Sequence, residues 1–400
     1  MPANDNLAVR LMVEFAERTG LVSNAKSPDR YLWTDAFAVC NFLELFARTG
    51  EPKYREYAIR LIDQVHQVLG RYRQDDVRHG WISGLNEETG RLHPTAAGLR
   101  IGKPLKERQK AEPFDERLEW DRDGQYFHYL TKWMHALCQT AVIANKSEYA
   151  RWAGELAAAA FQRFRCVSHS GGDGLIGIYW KMSTDLSRPL VSAIGLHDVL
   201  DGFITFREVK SAMADLSVAT EMSKITTAIA SLSPLCQHRD WTTDDPLGLG
   251  GLLFDACALC QLLNPNSHAD VDLLEALLDS CTYGLASFVR AGYLTKAVSN
   301  RLAFRELGLA IGLKAVSAIA HTIEERQSHF ENRSGLSRSI GLLQRYMPIG
   351  DEIIGAWLAY VEHRDKSWRA HQDINEVMLA TALIPNTFLS ISRALPQQKL

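Results

Sequence analysis

Residues 31–69, "YLWTDAFAVCNFLELFARTGEPKYREYAIRLIDQVHQVL", contain two predicted helices of different kinds. The first, at about 31–49, is apolar or small on most faces, whereas the second, at about 53–72, has a face of Lys, Arg and Glu. A helix that is apolar nearly all round is buried among other helices, and an amphipathic helix has one side in water. Gly50 and Pro52 separate the two. The stretch therefore predicts an inner helix followed by an outer helix.

The same alternation continues along the chain. Apolar residues recur with helical spacing in almost every segment and alternating strand patterns are nearly absent, so the fold class is predicted to be all-α. Taking the first helix as outer, the order outer then inner occurs six times. The predicted helices lie at about 5–18, 31–49, 53–72, 124–144, 147–164, 189–207, 210–232, 247–263, 269–290, 301–320, 351–364 and 373–390, with a short one near 335–346.

This order of helices resembles the six-hairpin glycosidase-like superfamily, the (α/α)6 barrel or toroid. The resemblance covers almost the full length and is one of architecture, without a specific motif. It implies a single toroid domain over residues 1–400, with six inner helices around a cavity. The alternative is an α-solenoid, whose repeats usually show a fixed period of about 34 to 47 residues. The inner helices start at 31, 124, 189, 247, 301 and 373, and this irregular spacing favours the toroid.

Composition excludes several classes of partner. The 400 residues carry 44 basic and 47 acidic side chains, which gives no electrostatic reason to expect nucleic acid or an acidic membrane as partner. We expect no membrane span and no signal peptide, and hence a cytoplasmic location. The seven scattered cysteines predict reduced core thiols, and the CxxC at Cys257 and Cys260 lies inside a helical pattern. We predict no metal and no other cofactor, and the sequence leaves the oligomeric state open.

Two inserts precede inner helices, at about 73–123 and 165–188, and the second is predicted to hold a short hairpin. Loops longer than about 15 residues in a compact domain tend to be functional or disordered. Both inserts enter inner helices at their N-termini, which share one rim in a toroid. The sequence thus predicts a functional rim that the inserts extend.

The predicted rim is rich in aromatic and charged side chains. Flat aromatic faces beside carboxylates suit a sugar, so we expect a small-molecule or oligosaccharide ligand. Helix capping by Asp and Glu is the alternative, although it does not explain the tryptophans and arginines. The candidate substrate-binding residues are Arg30, Trp33, Asp35, Trp81, Trp120, Gln125, His128, Trp180, Arg188, Arg305, His371 and Glu376.

One helix of the predicted ring carries a polar stripe. Its members fall at i, i+3, i+7, i+10 and i+14, which places them on one face of a helix. This face carries amides and histidines with a single lysine, which fits an enclosed wet cavity, whereas a plain surface face is the alternative. The stripe consists of Gln125, His128, Lys132, His135 and Gln139.

Three functions follow from these residues. The leading hypothesis is glycosidic cleavage, which needs an acid and a second carboxylate. The resemblance implies such a pair at the rim; here Asp121 or Asp123 could supply one member, and Glu306, Asp373 or Glu376 the other. The second hypothesis is a sugar epimerase or isomerase, since members of related toroids use inner-helix histidines as acid and base. Here His197, with Asp201 one turn on, and His371 are the candidates. The third is a toroid that binds a glycan or a protein without catalysis.

Overall fold

The structure is a computed structural model that describes residues 3–22, 28–168, 174–264, 267–326, 334–362 and 366–391. The predicted all-α class is confirmed, since helices make up most of the described chain and the strands have two to four residues. The helices are α1 Ala3–Arg18, α2 Leu32–Thr49, α3 Pro52–Leu69, α4 Glu87–Leu92, α5 Glu116–Asp121, α6 Phe127–Ile143, α7 Ser147–Phe164, α8 Leu196–Asp215, α9 Met222–Leu232, α10 Pro246–Leu262, α11 His268–Arg290, α12 Ala303–Glu325, α13 Ser334–Gln344, α14 Met347–Val361, α15 Lys366–Arg369, α16 Gln372–Leu383 and α17 Asn386–Leu389.

The turn between α2 and α3 has the chemistry that its sequence predicts. Gly50 adopts the left-handed conformation, with φ of 70°, and donates its N–H to the carbonyl of Phe46. Pro52 then occupies the first turn of α3, where its missing N–H has no helical partner to lose. Fourteen of the 18 residues of α2 are buried, against seven of 18 in α3. The predicted inner and outer kinds of helix are therefore confirmed for this pair.

The chain divides into two compact units. The first, called the N-terminal unit, is Ala16–Cys236, and within it the inner helices α2, α6 and α8 pack side by side. The second, called the C-terminal unit, comprises residues 3–15 with Gln237–Ile391, and within it α10, α12 and α16 pack in the same manner. Each unit thus has a row of inner helices covered by outer ones. The prediction that residues 1–400 form one domain stays a prediction.

Strands β1 Gln125–Tyr126 and β4 Lys181–Met182 form one antiparallel pair, and β2 Arg165–Val167 and β3 Leu175–Ile178 form the other. The second pair confirms the hairpin predicted in the insert at 165–188, although residues 169–173 of that insert lie outside the described ones. The first pair takes up the start of the helix that was predicted to begin at 124. Because Gln125 and Tyr126 are extended, α6 begins at Phe127.

The prediction of a helix at 189–207 was wrong at its start, because α8 begins at Leu196. The preceding segment is extended along the second insert: Leu190 donates its N–H to the carbonyl of Lys181, and Gly195 donates to Ile178. Leu190 is buried in this segment but Ile194 is 41% exposed, so its apolar residues do not form one buried helical face. The predicted helix at 210–232 is divided, since α8 continues to Asp215 and α9 begins at Met222.

Two further helices bear on the predictions. Helix α14 begins at Met347, four residues before the predicted start at 351, and residues 363–365 at its predicted end lie outside the described chain. Helix α12 is long and apolar enough to cross a membrane by length and composition alone. Of its most apolar window, 67% is buried within the protein, which is the burial of a core helix.

Candidate active site

Ion pairs join the facing inner helices α6 and α8 at successive turns. The pairs are His128 Nδ1 with Asp198 Oδ1 at 3.5 Å, Lys132 Nζ with Asp201 Oδ1 at 2.8 Å, and His135 Nδ1 with Glu208 Oε1 at 2.9 Å. On α6 the three members of these pairs stand at i, i+4 and i+7, which is one helix face. We call these six residues the polar ladder. The predicted stripe on α6 therefore faces carboxylates of α8.

Exposure falls steeply along the polar ladder. The side chain of His128 is 36% exposed, that of Lys132 8% and that of His135 1%. Charged groups are almost never buried without a partner, and each of the two deep cations has one. Among the two histidines and the lysine of the ladder, His128 is thus the group that a ligand can reach.

The deepest pair is held as ions. Burial alone would lower the pKa of His135, but the charge of Glu208 and hydrogen bonds with Cys40 and Glu208 raise it to about 10. The Nε2 of Gln139 donates to the same carboxylate at 3.4 Å. His135 is therefore a buried imidazolium at neutral pH, and its proton is not one that the site can exchange easily.

The middle pair is also fully engaged. Asp201 accepts from Lys132 and from the hydroxyl of Thr131 at 2.5 Å, and the hydroxyl of Thr205 lies at 3.4 Å. These contacts fix the Lys132 ammonium one turn below His128. The Lys132–Asp201 ion pair is thus fixed beneath the exposed end of the ladder.

Asp198 can reach His128 because the residue beside its carboxylate is a glycine, which has no side chain. Gly195 is the N-cap residue of α8, and a Cβ there would lie 1.7 Å from Asp198 Oδ2. Asp198 also stands in the first turn of α8, where the helix dipole favours a negative charge. The local sequence "GLHD" thus positions a carboxylate beside the half-exposed imidazole.

Aromatic rings surround His128 on several sides. Tyr126 stacks on it with ring centroids 5.5 Å apart, and Trp33 and Tyr129 meet it edge-on at 5.9 and 4.9 Å. The hydroxyls of Tyr31 and Tyr129 are 2.6 Å apart. Burial raises the pKa of both Tyr126 and Tyr129, so these phenols stay neutral. The frame combines apolar faces with hydroxyl groups, which suits a polyhydroxy ligand.

The stacking continues outwards from this frame. Tyr126 lies parallel to Trp180 at 5.2 Å, and Trp180 meets Trp120 at 5.6 Å. Trp120 is 54% exposed. The predicted binding residues Trp33, Trp120, Trp180 and His128 are therefore brought into one aromatic group.

Other predicted residues of the N-terminal unit hold the structure together. Arg30 and Asp35 are buried against each other at 3.4 Å, and Asp35 accepts the N–H of Tyr31, as the capping alternative proposed. Asp123 is fully buried; it accepts from the guanidinium of Arg100 and from the N–H groups of Gly102 and Gly124.

Gln125 lies on β1 and not on α6, which corrects the predicted helical stripe. Its side chain accepts from the N–H of Leu99 and donates to the carbonyls of Ala97 and Thr184. Trp81 is 2% exposed beneath the guanidinium of Arg71. Asp121 is exposed and His197 half-buried.

The remaining predicted residues belong to the C-terminal unit. Glu306 is buried. Its two carboxylate oxygens accept hydrogen bonds from the guanidinium of Arg301, and one of them also accepts from the indole N–H of Trp357. Arg305 pairs with Asp245. Glu376 is fully buried and accepts from Gln372 at 2.8 Å, Asp373 is half-buried, and His371 is exposed beside Phe304. Within the described ranges, no group of three or more His, Cys, Asp or Glu is placed to hold a metal.

Sequence reasoning missed Asp198 and Glu208 as site residues, and Tyr126 and Tyr129 as its frame. A signal was present: Asp198, Asp201 and Glu208 share a face of α8. That face carries three carboxylates, one at the level of each histidine or lysine of the polar ladder on α6.

No protein-family model matches the chain, and no curated protein matches it. Among solved structures, the chain is similar to cellobiose 2-epimerase from Spirochaeta thermophila, with 12% identity, 87% of each chain covered and a TM-score of 0.45.

Proposed function

We propose that the chain is a carbohydrate-active enzyme that epimerises or isomerises a sugar, with His128 as the group that removes and returns a proton. The observation that carries this proposal is a half-exposed imidazole, paired with Asp198 and enclosed by aromatic rings. The histidine differs from the pair expected from sequence, which was His197 and His371.

The chemistry needs a base beside the carbon next to a sugar carbonyl. His128 Nε2 takes the proton from that carbon as its C–H bond breaks, the carbonyl oxygen takes a proton from solvent, and an enediol forms. When His128 gives its proton to the former carbonyl carbon and the hydroxyl of the first carbon releases its proton to solvent, the product is a ketose. When solvent instead gives a proton to the opposite face of the first carbon, the former carbonyl oxygen and His128 each release the proton that they took, and the product is the epimer. Asp198 faces Nδ1 and stabilises the imidazolium that forms. The aromatic faces would hold the sugar ring while its hydroxyls meet Tyr31 and Tyr129.

Glycosidic cleavage has less support from the geometry. The oxygens of Asp123 and Glu306 are already bonded to arginines and to N–H groups, so neither carboxylate has an oxygen turned to a ligand. Asp121 and Asp373 remain predicted candidates. A sugar-binding role without catalysis would use the same aromatic frame and is separated by experiment.

The test is proton exchange. The full chain is incubated with glucose or mannose in D2O, and NMR follows deuterium entry at C2 and the appearance of new sugars. We expect both with the wild type, and a loss of about 10²- to 10⁴-fold in rate in His128→Asn, the usual contribution of a general acid or base. His321→Asn, on an exposed histidine of α12 that is 71% accessible, is the matched control and should keep the full rate.

Three results would count against the proposal. Exchange that survives in His128→Asn removes the role of that residue. Binding of sugars without exchange would favour a binding protein. Release of monosaccharides from an oligosaccharide, with no exchange at C2, would restore glycosidic cleavage.

A further inference from the structure

A cleft of about 530 Å³ lies between the two inserts of the N-terminal unit. Its walls come from residues 76–78, 106–110 and 183–188, and none of them belongs to the polar ladder. The volume falls within the range of small-molecule sites. The charges that line this insert cleft decide what it can hold.

The three carboxylates of the insert cleft all contact one side chain. Arg78 contacts Asp76 at 2.9 Å, Glu107 at 2.6 Å and Asp185 at 3.1 Å. The second oxygen of Glu107 accepts the N–H of Thr184 at 2.5 Å. The hydrogen bond from Arg78 lowers the pKa of Asp76, which keeps that carboxylate ionised.

The other carboxylate oxygen of Asp185 is occupied as well. It accepts the hydroxyls of Ser183 and Ser187 at 2.8 and 2.7 Å. The negative groups of the insert cleft are thus turned inwards, to Arg78 and to the loop at 183–187. They join the two inserts and leave little acceptor capacity for a ligand.

The other cations of the insert cleft have a distant carboxylate partner or none. Lys106 has its recorded carboxylate partner, Asp75, at 3.9 Å, the limit of an ion pair. In the part of the chain that the structure describes, Lys110 and Arg188 make no ion pair. Arg188 donates one Nη2 bond to the carbonyl of Arg108, which anchors its guanidinium while the other N–H groups stay available.

We propose that the insert cleft binds an anionic group, the phosphate or carboxylate of a small molecule, with Arg188 as the forked donor and Lys110 and Lys106 as accompanying charges. A guanidinium fork matches both anions because each offers two oxygens in a plane. The lining has four cations against three carboxylates, and all three carboxylates contact Arg78. This site is separate from the His128 site, and it stands whether or not that site moves protons.

The test is a calorimetric titration of the full chain at low ionic strength with inorganic phosphate, with glucuronate and with neutral glucose. We expect saturable binding of one or both anions, weakened by rising NaCl, and at least about tenfold weaker binding in Arg188→Gln, as for a lost hydrogen bond to a charged group. Tighter binding of phosphate assigns a phosphorylated ligand, and tighter binding of glucuronate a carboxylated one.

Lys110→Gln provides a second variant if Arg188→Gln does not fold, and it should weaken binding several-fold. Lys224→Gln, on an exposed lysine of α9, is the matched control and should bind as the wild type. Absence of saturable anion binding overturns the proposal. So does binding that is unchanged in both cleft variants, or heat from neutral glucose that depends on Arg188 as strongly as the heat from the anions does.

Discussion

Helices α6 and α8 meet through charged side chains, whereas α10 and α12 meet through glycines. A Cβ at Gly250 would lie 2.1 Å from the carbonyl oxygen of Gly308, and one at Gly312 would lie 2.7 Å from the Cα of Gly250. Close contact between glycines brings two helices together without placing a reactive side chain at the contact. A buried ion pair costs desolvation and is often replaceable by apolar residues without loss of stability. The chain therefore packs its inner helices together in two ways. We place the active site at the interface of charged side chains, where desolvation costs more free energy.

The largest expected effect concerns the deep end of the polar ladder. Glu208→Leu leaves the buried imidazolium of His135 without its carboxylate, and we expect a loss of about 3–5 kcal/mol in the free energy of unfolding. The double variant His135→Leu/Glu208→Leu should recover most of that loss, because neither charge remains. Urea unfolding followed by circular dichroism measures both. A loss below about 1 kcal/mol in the single variant would show that the pair is not ionised.

The same pair gives the protein a pH dependence of defined sign. The folded-state pKa of His135, about 10, lies above that of an unfolded histidine, about 6.5. Its stabilisation is therefore complete below about pH 6.5 and is lost as the pH rises through about 10, by up to about 1.4 kcal/mol per pH unit. The check is the difference in unfolding free energy between wild type and the double variant at pH 7 and pH 9. An equal difference at both pH values contradicts the prediction.

The pH dependence of stability due to His66, on α3, has the opposite sign. Burial lowers its pKa to about 3, and its Nε2 accepts the indole N–H of Trp133 at 3.2 Å. Its neutral form is stabilised above about pH 6.5, and this contribution is lost as the pH falls towards about 3. The two buried histidines, both in the N-terminal unit, thus narrow the pH range of high stability from both ends.

A smaller effect is expected at the glycine interface. Gly250→Ala forces α10 away from α12, and we expect a loss of about 1–3 kcal/mol, as for other overpacked cores. Gly251→Ala is the matched control, because a Cβ there meets no atom within 4 Å. Relief of backbone entropy should stabilise that variant by about 0.5–1 kcal/mol. Equal effects of the two substitutions would mean that the glycine contact does not determine the helix spacing.

The sequence predicted the helices better than the contacts between them. Helix positions and the inner or outer kind of α2 and α3 follow from local periodicity, which residues 31–69 show directly. The face of α6 that carries His128 and His135 was also predictable. Its partners on α8 were not, because the pairing of two helices separated by an insert depends on tertiary packing. For the same reason, the predicted carboxylate Asp123 could not be recognised as a buried anchor of the first insert without Arg100 beside it.

The smallest expected effect is at the middle of the polar ladder. Thr131→Val removes the hydroxyl that donates to Asp201 at 2.5 Å, while Lys132 keeps the carboxylate paired. We expect a loss of about 1.5 kcal/mol, the low end for a hydrogen bond to a charged group. Thr140→Val is the matched control, since Thr140 is buried on the same helix and donates only to the carbonyl of Ala136 in what the structure records. It should cost about 0.5–1 kcal/mol by urea unfolding. A larger loss at Thr140 than at Thr131 would mean that Lys132 alone holds Asp201, and that the ladder owes its geometry to ion pairs without help from the neighbouring hydroxyl.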